Sequence, residues 1–182
     1  MTKYFRVAAS ILALSTGMAL AENPMVGGAA MYEDKNIVEN AVNSADHTTL
    51  VAAVTAAGLV ETLSGAGPFT VFAPTNEAFA ALPAGTVDTL LKPENKDQLV
   101  KILTCHVVAG AAMSGDIVGM IEADGGKHKI GTVGGCDFTA SMVDGKVMIE
   151  DGQGNMATVT IADVKQSNGV IHVIDKVLLP AM

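Results

Sequence analysis

The spacing of apolar residues along this chain changes once, near Gly110. Before that point they recur every three or four residues, the period of an amphipathic helix. Beyond one more helical stretch they fall into short runs separated by turn residues, as strands do. Helices crowd the front of the chain and strands the back. Repeated βαβ units would alternate instead, so the fold class is α+β.

In the front half, Asn36 to Asn43 places Ile37, Val38, Ala41 and Val42 on one stripe. Thr48 to Ala57 turns Leu50, Val51, Val54 and Ala57 inward. Asp46 or Thr48 can cap that helix, and Gly58 suits the left-handed position past its end. Leu59, Val60 and Leu63 continue as a short apolar turn that GAGP, Gly65 to Pro68, ends. Phe69 to Phe72 is a short buried strand, and Pro74, which cannot donate to a ladder, stops it. Thr75 stands at a helix N-cap with Glu77 in the first turn, and Ala78, Phe79 and Leu82 form the apolar side. Further helices are predicted over Thr86–Leu91, Asn95–Thr104 and Ser114–Ile121. The strands predicted behind them are Lys127–Val133, Cys136–Val143, Lys146–Glu150, Ala157–Lys165 and Val170–Leu178. Asp144-Gly145 joins two of these as a type I′ hairpin, and DGQGN (Asp151 to Asn155) and Asn168-Gly169 make two more turns.

The start of the chain is an address. Lys3 and Arg6 precede Val7–Leu20, a run almost wholly small or apolar, and Ala19-Leu20-Ala21 supplies a cleavage pattern. Residues 1–21 are therefore expected to be a secretory signal peptide. Residues 22–35 are expected to form a flexible lead and residues 36–180 a single domain. No cysteine stands at the cleavage site, and no later segment is apolar for long enough to cross a bilayer. The expected place is thus the periplasm or the cell exterior, with no membrane insertion after cleavage and a monomeric state. Without Lys3 and Arg6, nine basic residues face 19 acidic ones, a net charge of −10. Such a surface repels phosphate, which argues against nucleic acid as a partner.

Export also bears on Cys105 and Cys136. In an oxidising compartment a single disulfide is the simplest outcome, with two buried free thiols as the alternative. The four histidines stand in no short zinc-ligand spacing. Cys105 and His106, if neighbours on a strand, point to opposite faces and cannot share a metal. Ser114 in GAAMSGD fails the nucleophile-elbow pattern because Ala112 stands where glycine is needed. GAGPFT and GTVGG lack the Lys-Ser/Thr of a phosphate loop, and DGQGN lacks the acidic spacing of a calcium hand. No catalytic group, cofactor or metal is expected. His106 and His172 read as structural histidines, His47 and His128 as exposed ones. In NGVIHVIDKVLLP, Asn168 to Pro180, strand alternation puts His172 with Val170 and Ile174 and Asp175 on the other face, so the two point apart.

Two stretches then carry a resemblance. TVFAPTNEAFAAL, Thr70 to Leu82, resembles the first signature of the fasciclin-type adhesion domain, and NGVIHVIDKVLLP resembles the second. Between them LTCHVVAG, Leu103 to Gly110, resembles the family's central tyrosine-histidine segment, with Cys105 in place of the tyrosine and His106 present. The resemblance implies a wedge-shaped β-sandwich with helices packed around it, in which Thr70, Pro74, Thr75, Asn76, Phe79, His106, Asn168, Gly169, His172 and Asp175 specify the fold. It implies an extracytoplasmic, non-enzymatic role in cell adhesion through a protein or cell-surface partner. The integrin-contact pair of animal matrix members falls on Asp163 and Val164, though the flanking residues here are Ile161, Ala162 and Lys165. For Asp163 a carboxylate that bonds backbone is the other reading. The competing functions are an exported hydrolase using a Cys or Ser nucleophile and a periplasmic ligand- or metal-binding protein.

Overall fold

The computed structural model describes residues 23–181, so the signal peptide expected over residues 1–21 lies outside the described residues. The described chain opens with a small hairpin, β1 (Met25–Val26) and β2 (Ala29–Ala30). Within the stretch expected to form a flexible lead, Val26 and Met31 are buried in the main core. The helical half follows: α1 (Ile37–Ala41), α2 (Thr48–Ala57) and α3 (Val60–Leu63). After β3 (Phe69–Pro74) come α4 (Asn76–Ala80), α5 (Thr86–Leu90) and α6 (Lys96–Cys105). Then β4 (Val107–Ala109) and α7 (Ser114–Ala123) lead into β5 (Lys127–Gly131), β6 (Asp137–Val143), β7 (Lys146–Glu150), β8 (Met156–Gln166) and β9 (Gly169–Ile174).

Local chemistry accounts for most of these boundaries. Asn36 and Glu39 form a reciprocal capping box at the start of α1. Gly58 ends α2 at φ 75°, where a side chain would strain the backbone. Neither Asp46 nor Thr48 caps α2; His47 holds the N-cap position without a side-chain bond, and the donor is satisfied from elsewhere, as described below. Pro74 does not stop β3 but pairs as its last residue, opposite Ile174 of β9. It is tolerated because β4 covers β3 only from Phe69 to Val71, so the far side of the ladder is open at Pro74. Asp144 and Gly145 take φ values of 51° and 75° and close the β6–β7 hairpin, as the Asp-Gly pair predicts.

The strands form one curved sheet in the order β4-β3-β9-β8-β7-β6-β5. All neighbours are antiparallel except β3 and β9, which run parallel. The sandwich is therefore one sheet doubled over, not two separate sheets. Its fold line is β8: Met156–Thr158 pair with β7, and Val159–Gln166 pair with β9 across two register shifts. One of those shifts contains Asp163, whose φ is 61°, a conformation aspartate tolerates better than most residues.

Alternation along β3 and β9 then builds two cores. Val71, Ala73, Ile171 and Val173 face the helices and meet Leu50, Val54, Leu99 and Leu103. Phe72 and Ile174 face the other way and meet Phe138, Ala140, Val147 and Ile149 of the second half-sheet, with Ile117 and Ile121 of α7. The Cys105–Cys136 disulfide lies in this inner core, with a Cα–Cα distance of 5.4 Å, and joins the end of α6 to the segment before β6.

Candidate functional site

Thr70, Ala112, Ser114, Asp163 and His172 come together where the chain passes from β4 into α7. Thr70 Oγ1 donates to the Gly110 carbonyl at 2.7 Å and accepts from the Ala112 amide at 2.8 Å. This fixes the loop that delivers Ser114. The Asp163 carboxylate then accepts from the Ser114 amide at 2.6 Å and from its hydroxyl at 2.5 Å. A carboxylate at the first turn of α7 also suits the positive end of the helix dipole. His172 Nε2 donates to the Ala112 carbonyl at 2.8 Å, and Nδ1 accepts from the Asp163 amide at 3.3 Å.

The residue types are those of a serine hydrolase, but the connections are not. In a working triad the serine hydroxyl donates to histidine, and the carboxylate orients that histidine. Here the serine donates straight to the carboxylate, and both imidazole nitrogens are held by backbone. Burial lowers the pKa of His172, opposed by the Ala112 carbonyl and the Asp163 charge. The arrangement is a cap on α7 and a clamp on the bulge of β8. It also places Val164, the second residue of the expected partner contact, fully inside the core at 0% exposure. Val164 thus presents no surface to a partner in the folded chain, and Asp163 is engaged internally.

His106 closes the other end. It is the C-cap of α6, so it and Cys105 are not neighbours on a strand as expected; Cys105 ends the helix. Nδ1 lies 2.8 Å from the Ile102 carbonyl and Nε2 lies 2.9 Å from the Leu178 amide. A carbonyl only accepts and an amide only donates, so the ring is neutral with its proton on Nδ1. Burial lowers its pKa to about 4, against the pull of the Ile102 carbonyl and Asp151. Asp175 lies just past the end of β9, not within the strand, and its carboxylate accepts from the Thr158 amide at 2.7 Å.

The signature asparagines tie distant elements together. Asn76 Oδ1 accepts from the Thr49 amide at 2.9 Å, and its Nδ2 donates to the Ala45 carbonyl at 2.8 Å. It is the missing cap of α2, delivered from α4, while Thr75 caps α4 itself by accepting from the Ala78 amide at 3.2 Å. Asn168 Oδ1 accepts from the Ile37 amide at 3.0 Å, and its Nδ2 donates to the Leu63 and Gly65 carbonyls at 2.7 and 2.8 Å. At Gly169 a Cβ would stand 2.0 Å from the Phe69 carbonyl oxygen, so the parallel pairing of β3 and β9 requires glycine there. Phe79 fills the main core.

His47 was expected at the surface and is 3% exposed. Its Nδ1 lies 2.9 Å from the Ser44 hydroxyl. Burial lowers its pKa, opposed by the Ala73 backbone and the charge of Asp46. It stands in the wall of an apolar cavity of about 170 Å³ between α1, α2, α3 and the sheet. Nothing in its polar sequence neighbourhood, SADHTT, signals that burial. His128, also expected at the surface, is half-buried on the face of β5 that it shares with Ile130, 2.7 Å from the Asp124 carboxylate. Among the described residues no cluster of three His, Cys, Asp or Glu is placed to hold a metal ion.

Such a molecule is an α+β scaffold whose polar side chains hold its own backbone in place. The chain belongs to the fasciclin domain family, whose model matches residues 45–180. It is 52% identical over 161 residues to Protein sll1483 of Synechocystis sp., covering 88% of this chain and 82% of that protein. It is 35% identical over 180 residues to the cell surface glycolipoprotein MPB83 of Mycobacterium bovis, covering 95% of this chain and 74% of that one. The solved FAS1 domain pair of the insect cell adhesion molecule Fasciclin I matches with a TM-score of 0.72 at 18% identity, over 80% of this chain. This chain spans 51% of that pair, and at such identity the match speaks for the fold.

Proposed function

We propose that the chain is a non-enzymatic, extracytoplasmic adhesion or interaction module that acts as a monomer on a protein or cell-surface partner. One observation carries the reading: Ser114, Asp163 and His172, the best-placed residues for hydrolysis, are each bound into the scaffold. Cys105, the other candidate nucleophile, is in the disulfide. Membership of the fasciclin family supports adhesion, and the kinship with a protein named for the cell surface of Mycobacterium bovis supports an external location. Among the described residues no helix is long and apolar enough to cross a membrane, which fits a module that meets its partner outside the bilayer.

The test is attachment of native cells to beads coated with the purified, disulfide-bonded chain. The expected result is saturable binding that excess soluble chain competes away. Binding no greater than to albumin-coated beads overturns the proposal.

A further inference from the structure

The cavity beside His47 differs from the rest of the interior in one respect. Among the described residues, His47 Nε2 is the single buried side-chain nitrogen or oxygen without a hydrogen-bond partner. Native interiors rarely leave such a group unpaired, because its desolvation goes uncompensated. Its proton state follows from its neighbour. The Ser44 hydroxyl, itself buried, finds its acceptor in His47 Nδ1, which leaves the proton on Nε2. This N–H donor therefore stands in a mostly apolar wall, formed by residues such as Leu50, Val54, Leu63 and Val71, with Ser44, Thr55 and His106 as its other polar side chains.

The other histidine of the wall offers nothing more, since both nitrogens of His106 are bonded. Water is a poor occupant. It needs two to four polar partners, and the side chains here offer one unsatisfied donor, with the Ala73 backbone the further polar group acting on that imidazole. The volume of about 170 Å³ is of the same order as apolar cavities that take up a benzene-sized molecule. Val42, a lining residue at the end of α1, is 54% exposed, so the cavity wall reaches the surface there.

We propose that this cavity binds a small neutral molecule with an apolar body and one hydrogen-bond-accepting oxygen, of the ketone or ester class, whose oxygen accepts from His47 Nε2. The site is independent of adhesion, so either proposal can fail without the other.

Two probes of equal shape separate the polar contact from the apolar one: acetophenone, and α-methylstyrene, in which a methylene replaces the carbonyl oxygen. Each is titrated into the disulfide-bonded chain and followed by amide shifts in nitrogen–proton spectra. Both are expected to shift Leu50, Val54 and Val71, with acetophenone bound roughly fivefold more tightly, the factor one hydrogen bond supplies. His47→Phe keeps a ring of similar shape without the donor and is expected to erase that preference. Val51→Phe puts a larger side chain at a lining position on α2 and is expected to abolish binding of both. Equal affinities in the native chain, absence of saturable shifts at the cavity, or undiminished binding by Val51→Phe overturns the proposal.

Discussion

Acid is expected to unfold this domain through its buried imidazoles, and His106 supplies the arithmetic. In the unfolded chain the ring titrates near 6.5; in the fold, burial holds it at about 4. Between those values the unfolded chain binds the proton and the folded chain does not. Stability is therefore fully present above the unfolded value and falls as the pH drops toward the folded one. Each pH unit in that window removes about 1.4 kcal/mol, for a total of roughly 3 kcal/mol. The structural cause is specific: a proton on Nε2 meets the Leu178 amide, which is itself a donor. His47 and His172, also lowered by burial, act with the same sign. The assay is urea denaturation at pH 7, 6, 5 and 4.5 for the native chain and for His106→Gln. The variant is expected to be less stable at pH 7 and to show a pH slope shallower by about one proton. Equal slopes for the two proteins refute the reasoning about His106.

Two further outcomes follow from the fold. Reducing the Cys105–Cys136 bond, which spans a sequence separation of 31, is expected to lower stability in urea. The loss is about 3–4 kcal/mol in the chain-entropy picture, and the unfolded, unreduced chain is expected to show no reactive thiol. Asn76→Ala removes the cap of α2 and is expected to lower stability by about 1–2 kcal/mol, measured by the same titration.

The helix-to-strand change of period was legible because it is carried by many residues at once, and it fixed the α+β class. Thr48–Ala57 and the Asp144-Gly145 hairpin were legible locally, since Gly58 and the Asp-Gly pair set their own backbone conformations. What escaped the sequence depends on distant partners. The Val107–Ala109 strand is three residues long and follows α6 after one residue, too short for a period to register. The Met25–Ala30 hairpin looked like a glycine-rich lead because its stability comes from burying Val26, not from its own pattern. Asn168 was legible as a turn residue but not as a clamp on α1 and α3, whose partners lie 131 and 105 residues away. Val164 matched an adhesion element by position, yet the bulge at Asp163 turns it into the core. The His47 cavity left no trace in the sequence, since its polar wall comes from a residue flanked by polar neighbours.

The central claim is that the chain works by contact and not by chemistry. Aggregation and surface attachment of native cells, compared between wild type and a deletion strain, test it most directly. The account predicts that deletion reduces attachment and that the wild-type chain and Ser114→Ala restore it equally. Unchanged attachment on deletion, or failure of a folded Ser114→Ala chain to restore it, contradicts the account.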